Sequence, residues 1–224
     1  MLGEETSVAK AVREAVLSRP GIKECLILNV VNYSALARDL LKEFEKKGIN
    51  ASVGSVKMAL VRTGEELRKE RILLEKRVKG VLAKTVMEVQ SDLTVVTCRK
   101  RSVLNKLDRI SRIMENSRFF QLTQGVETFT IVVSSKESKE IVKALGRENT
   151  VDLIEEQTAI ILISPEEIIQ TPGVVSFVTS ALSSAGMNIT QVISCYNDTI
   201  FVFDRKDAQK SYQVIEELIL KMRS

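Results

Sequence analysis

The residues best suited to chemistry are Thr171, Pro172, Gly173, Val174 and Val175, together with Asn188 and Ile189 further on. What they offer is recognition, not bond making. A proline followed by a glycine bends the chain into a helix start, and a helix start leaves main-chain N–H groups without partners. Such donors suit a carboxylate or another small anion. Gly173 lets a ligand approach the backbone closely, and Asn188 adds a side-chain amide. Catalytic equipment is missing. The chain of 224 residues has no histidine, so no histidine base and no Ser–His or Cys–His pair can form. No GxxxxGKS/T phosphate loop occurs. Glu155-Glu156, Glu166-Glu167 and Glu216-Glu217 are adjacent pairs, which point apart on a strand or helix and read as solvated charges. Cys25, Cys98 and Cys195 are far apart and form no CxxC. They read as buried free thiols in a reducing cytoplasm. No catalytic residue, metal or cofactor is expected.

The ligand residues need a helix and a strand to hold them. Val174, Phe177, Val178, Ala181, Leu182 and Ala185 recur at helical spacing and define a buried face. Gly186 is placed to cap that helix. Asn188 to Ser194 then alternates, which predicts a strand returning beside the helix and bringing Asn188 near its start. The run Pro172-Gly173-Val174, Leu182, Gly186-Met187-Asn188-Ile189 and Thr199-Ile200-Phe201-Val202-Phe203 resembles the ACT domain, the amino-acid-sensing module of aspartokinases and other biosynthetic enzymes. The resemblance covers residues 157–222. It implies a ferredoxin-like fold and an amino-acid effector bound where domains or subunits meet. The carboxylate would lie on the backbone of Gly173, Val174 and Val175, and the amino group near Asn188 and Ile189.

A related pattern comes earlier in the chain. Leu93 to Cys98 reads as a strand, and Val103, Leu104, Leu107, Ile110, Ile113 and Met114 as a helix face. A hairpin around Gly125 follows, then a helix over Glu137–Leu145 and a closing strand over Thr150–Glu155. The order is β-α-β-β-α-β. A shift of 71 residues lays Leu107 on Val178, Ile110 on Ala181, Leu122 on Ile193 and Ile131 on Val202. This first copy has Lys100-Arg101-Ser102 where the second has Thr171-Pro172-Gly173. Arg99, Lys100 and Arg101 form a solvated loop or, alternatively, an anion site of their own.

The N-terminal region reads as helical. A helix is expected over 5–18, ended by Ser18-Arg19-Pro20-Gly21, and a short one over 22–28. Asn32 caps a helix over 33–47, Gly48 ends it, and Ser52 caps a helix over 53–63. Tyr33-Ser34-Ala35-Leu36-Ala37-Arg38 followed by Ser52-Val53-Gly54-Ser55-Val56-Lys57 resembles a helix-turn-helix, in which Ser55, Lys57 and Arg62 would face DNA. The first helix is long for that motif and carries Asp39, Glu43 and Glu45. A helical docking or dimerisation domain with a solvated polar face is the alternative. Residues 65–83 read as a charged helix that connects the helical domain to the rest or, alternatively, pairs with the same helix of a second subunit, and Ser91-Asp92 as a turn after a strand over 84–90. Residues 1–88 hold 17 Lys+Arg against 12 Asp+Glu, so the basic excess of the +4 chain lies at this end.

The expected fold is α+β: a small helical, helix-turn-helix-like domain (1–64), a helical connector (65–84) and two ferredoxin-like βαββαβ domains (85–156 and 157–224). No apolar run reaches membrane-spanning length. The expected protein is a cytoplasmic, non-enzymatic regulator sensing a small molecule, an amino acid, as a homodimer and with a protein partner as its target. The alternative is a ligand-responsive transcription regulator that binds DNA.

Overall fold

The structure, a computed structural model, describes residues 7–224. The chain divides into two compact units, the first ending at Arg77 and the second beginning at Val78.

The first unit is built from α1 (Val8–Leu17), α2 (Pro20–Ile27), α3 (Tyr33–Lys46) and most of α4 (Val53–Lys84). The first two residues of the helix expected over 5–18 lie outside the described residues. The caps are chemical and local. Asn32 Oδ1 accepts from Ala35 N at 3.0 Å at the start of α3. Gly48, at φ 72°, donates its N–H to Glu45 O and closes the end of that helix. Ser52 and Ser55 satisfy each other reciprocally ahead of α4. The apolar stripes meet in one core of Val12, Val16, Leu26, Leu40, Phe44, Val56, Leu60 and Leu67. The break expected near residue 64 is absent, and helix 53–63 and the connector are one helix. Gly64 fits there because it is pressed, not because it turns. A Cβ on it would stand 3.3 Å from Tyr33 Oη and 3.6 Å from Leu26 Cδ2.

The second unit is a six-stranded antiparallel sheet with helices. In chain order it comprises β1 (Val86–Arg99), α5 (Lys100–Leu104), α6 (Leu107–Asn116), β2 (Phe120–Gln124), β3 (Thr128–Ser134), α7 (Ser135–Leu145), β4 (Thr150–Ile163), α8 (Val174–Ser184), β5 (Gln191–Cys195), β6 (Asp198–Asp204) and α9 (Arg205–Arg223). The strand order is β2-β3-β1-β4-β6-β5. Two β-α-β-β-α segments are legible in it, and they share their central strands. Leu93–Arg99 pairs with β3, while Val86–Gln90 pairs with Ala159–Ile163 in the outer half of β4. Two sequence expectations change here. Ser91-Asp92 is not a turn but a bulge inside β1, with Asp92 at φ 56°. Nor does a closing strand follow the last helix, since α9 runs to Arg223. Its place beside β4 is taken by Val86–Gln90, from ahead of the first segment. Glu156, at φ 54°, makes the matching bulge in β4. Arg205 ties the two bulges together, 2.7 Å from Asp92 and 3.4 Å from Glu156.

The two faces of the sheet bury different clusters. Val96, Cys98, Phe129, Ile131 and Val133 point to α6 and α7. By strand alternation Ile160, Leu162, Phe201 and Phe203 point the same way, and α9 packs on β4 and β6. Leu93, Val95, Phe119, Val132, Ala159, Ile193, Ile200 and Val202 form a second cluster on the other face. No helix covers it. It is buried because the sheet curls, bringing Cys195 Sγ on edge strand β5 within 3.5 Å of Gln121 Oε1 on edge strand β2. The 71-residue shift fails against these faces. Ile131 belongs to the helix side and Val202 to the interior of the curl. Moving the comparison by one residue puts Ile131 on Phe201 and Val132 on Val202, and like faces then coincide.

The expectation for the cysteines is met only in part. Cys98 is buried, whereas Cys25 and Cys195 are exposed. Among the described residues no helix is long and apolar enough to cross a membrane.

Candidate functional site

β4 ends at Ile163 and the chain needs ten residues to reach α8. Ser164 starts this loop, fastened to the β5–β6 turn by Asn197 Nδ2 donating to Ser164 O at 2.9 Å and Ser164 N donating to Asn197 O at 3.1 Å. A 3-10 turn over Glu166–Gln170 follows. Thr171 is buried, and its hydroxyl donates to Glu167 O at 2.7 Å. It holds the loop and has no hydroxyl proton left for a ligand. Pro172 is exposed. Gly173 stands at φ 96°, ψ −12°, as the N-cap of α8, with no side chain to serve the helix start. Phe177 N, donating to Gly173 O at 2.8 Å, makes the first bond of the helix. The amides of Val174, Val175 and Ser176 are therefore presented without a capping side chain, at the positive end of the helix dipole. Val174 turns its side chain into the core with Val178 and Leu182, while Val175 and Phe177 face out.

Asn188 and Ile189 lie at the other end of α8. The helix closes with Gly186 at φ 75° and Met187 N on Leu182 O at 3.0 Å. Asn188 is exposed, Ile189 is half-buried, and β5 begins only at Gln191. α8 has 11 residues, so its ends are roughly 16 Å apart at ~1.5 Å per residue. One chain does not bring Asn188 to the amides at Gly173. The expectation fails because a strand that returns after a helix reaches the level of the helix start only at its far end. The asparagine bonded to this loop is Asn197, in the β5–β6 turn, at Ser164. Its neighbour Tyr196 at φ 56° marks that turn, and Tyr-Asn-Asp between two apolar runs was the available signal.

The last turns of α4 also meet this loop, which the sequence reading missed. Val78 Cγ2 would stand 3.8 Å from a Cβ at Gly173. Thr85 Oγ1 and Ser164 Oγ are 3.0 Å apart and buried. Lys84 Nζ lies 3.2 Å from Glu167 Oε1. A backbone hydrogen bond, with help from Lys84, holds the Glu167 carboxyl below its usual range. From Ile168 to Asn197 the sequence contains no charged residue. The exposed side chains of that stretch include Ile169, Val175, Phe177, Val192 and Tyr196.

The other candidates are placed as follows. Arg99 and Arg101 are exposed around the five-residue α5 and Lys100 is half-buried, with Lys100 N bonded to Glu127 O. This fits a solvated loop. Ser55 Oγ donates to Ser52 O at 2.9 Å and accepts from Ser52 N at 3.0 Å, so the hydroxyl serves the cap of α4. Lys57 and Arg62 are exposed, on the side of α4 away from Val56, Ala59 and Leu60.

Comparison with known proteins agrees with this architecture. A family model described as the ACT domain matches residues 153–217, from near the start of β4 into α9. No curated protein sequence matches. Among solved structures, the aspartate kinase of Clostridium acetobutylicum, described as an allosteric enzyme, is similar at a TM-score of 0.51 and 16% identity, over 60% of this chain and 34% of that one. This chain thus spans about a third of that enzyme. The regulatory subunit of aspartate kinase from Thermus flavus is similar at 0.50 and 12% identity, over 58% of this chain and 95% of that one. At such identities the likeness is one of fold. Fold and match together describe an α+β chain with a helical unit and a sheet unit of ACT-like fold, of which residues 153–217 match the ACT domain.

Proposed function

We propose that this chain is a non-enzymatic regulatory protein whose ACT-type unit senses a small carboxylate-bearing molecule, an amino acid. The observation that carries this reading is the start of α8. A left-handed Gly173 without a side chain presents the amides of Val174, Val175 and Ser176, within a run of sequence, Ile168 to Asn197, that contains no charged residue. Main-chain donors at a helix start suit the carboxylate of a zwitterion. Since Gly173 and Asn188 lie at opposite ends of α8, the site takes both groups only from two copies. Two α8 helices side by side and antiparallel would set Asn188 and Ile189 of one copy against Gly173, Val174 and Val175 of the other. The exposed Val175 and Phe177 suit such a homodimer contact. Thermal unfolding with each common amino acid tests this. At ~100 times its dissociation constant the effector adds about 2.7 kcal/mol, and Asn188→Ala, at an exposed position, abolishes the gain without lowering the unliganded melting temperature. No rise with any amino acid defeats the proposal.

A second reading is supported by Lys57 and Arg62, exposed on α4 while Glu24, Glu43, Glu66 and Glu70 of the same unit are engaged in ion pairs. In it, the first unit binds duplex DNA through Lys57 and Arg62, with Ser55 beside them, and the ACT-type unit sets the affinity. Retardation of duplex DNA at low salt, lost on Lys57→Ala with Arg62→Ala, supports it. Absence of retardation at low salt removes it, because phosphate contacts are strongest there.

A further inference from the structure

We infer that α4 reads the state of the ligand loop: residues 164–173 are the socket of its last turns, so a molecule bound at Gly173 acts on a helix that also belongs to the first unit's core. The inference rests on the sensing role proposed above and names how that site is regulated.

α4 and the residue that follows it, Thr85, meet the loop at three points. The loop's first residue, Ser164, is paired with Thr85, and both side chains are buried. The 3-10 turn in its middle is held through Lys84 and Glu167. The last residue, Gly173, lies under Val78, which is itself buried. The end of α4 is closed by a residue at the far end of the chain, with Arg223 Nε donating to Ala83 O at 3.0 Å and Nη2 to Thr85 O at 2.9 Å. The same helix supplies Val56, Leu60 and Leu67 to the first unit's core. α4 therefore belongs to two cores and one loop. A ligand seated at Gly173 would lie close to Val78, because the glycine has no side chain to stand between them. Whether it presses on Val78 or packs against it, its contacts change when α4 shifts. That difference is what a ligand needs to move an equilibrium between two positions of a helix.

Hydrogen–deuterium exchange on the full chain tests the coupling without any ligand. Glu167→Gln removes the charge pair at an exposed position and leaves folding intact, while Ser164→Ala removes the buried partner of Thr85. Loosening the loop is expected to speed exchange about threefold or more in peptides covering residues 56–70, far along α4. Changes confined to residues 78–85 and 164–173, in the exposed-site variant as well as the buried one, overturn the inference. A second arm adds to the wild type whichever amino acid raised the melting temperature, and exchange over 56–70 should then slow. If no amino acid raises it but the loop variants still speed α4, the coupling stands and the sensing role fails. If an amino acid binds and the exchange over 56–70 is unmoved by ligand and variants alike, the sensing role stands and the coupling fails.

Discussion

Replacing Gly173 by alanine isolates the feature on which the candidate site depends. At φ 96° and ψ −12° the residue lies where an L side chain is strained. The strain is of backbone origin only, because the new Cβ would meet Val78 Cγ2 at 3.8 Å, an ordinary contact. A non-glycine residue held left-handed costs about 1–2 kcal/mol. In a unit the size of Val78–Ser224, each kcal/mol moves the melting temperature by roughly 2–4 °C, so a fall of about 2–8 °C is expected. Gly80→Ala is the control. Gly80 lies within α4 with a negative φ and nothing near its would-be Cβ, and there alanine gains about 0.5–1 kcal/mol. Urea unfolding of both variants, followed by circular dichroism, should give shifts of opposite sign. If Gly173→Ala matches the wild type, or is stabilised as Gly80→Ala is, then Gly173 does not hold the left-handed turn and α8 does not open as described.

Two further outcomes follow from the sheet. Burial pushes the Cys98 thiol up to about 11, and Cys25 and Cys195 are exposed. A thiol reagent at neutral pH should therefore label Cys25 and Cys195 in the native protein and Cys98 only after denaturation; rapid native labelling of Cys98 would contradict the packing of β1 against α6 and α7. Leu93 is fully buried inside the curl, so Leu93→Ala should cost about 2–5 kcal/mol. Val89 on the same strand is 47% exposed, and Val89→Ala should cost well under half of that. Equal, small losses would mean that the sheet is open and that this face lies in water.

Local signals in the sequence were read well where the chemistry is local. Asn32, Gly48 and Ser52 mark their helix ends because a cap needs only neighbours within four residues. The apolar spacing of Val174, Val178 and Leu182 gave α8 its buried face for the same reason. What escaped was set at a distance. Ser91-Asp92 has turn residues, yet β3 and β4 pair on both sides of Leu93 and keep the strand running through a bulge. The boundary expected between helix 53–63 and the connector at 65 is absent, and Gly64 stands inside one helix against Tyr33 and Leu26. The repeat was off by one residue because a buried six-stranded sheet is apolar on both faces, and Phe201-Val202-Phe203 fits either register by hydropathy alone. The site was legible as a helix start and illegible as a place: nothing local says that Asn197 and Val78, rather than Asn188, stand beside the loop.

The shared strands bear on how the second unit holds together. Its C-terminal segment, from Gln157 on, contains β5, β6, α8 and α9 around the outer half of β4. On one side of that half-strand lies β6, and on the other lies Val86–Gln90, from 69 to 77 residues earlier. The interior that this segment helps to line also contains Leu93, Val95, Phe119 and Val132, all from the preceding segment. A fragment of residues 157–224 would leave an edge of β4 unpaired and expose Ala159, Ile193, Ile200 and Val202 together. An open edge beside an apolar face favours association over folding. The fragment is therefore expected to aggregate or to lack a cooperative melting transition, whereas residues 78–224, which keep β1 whole, melt cooperatively. A fragment 157–224 that is monomeric and melts in a sharp transition would show that the segment is self-sufficient and that Val86–Gln90 is not its fourth strand.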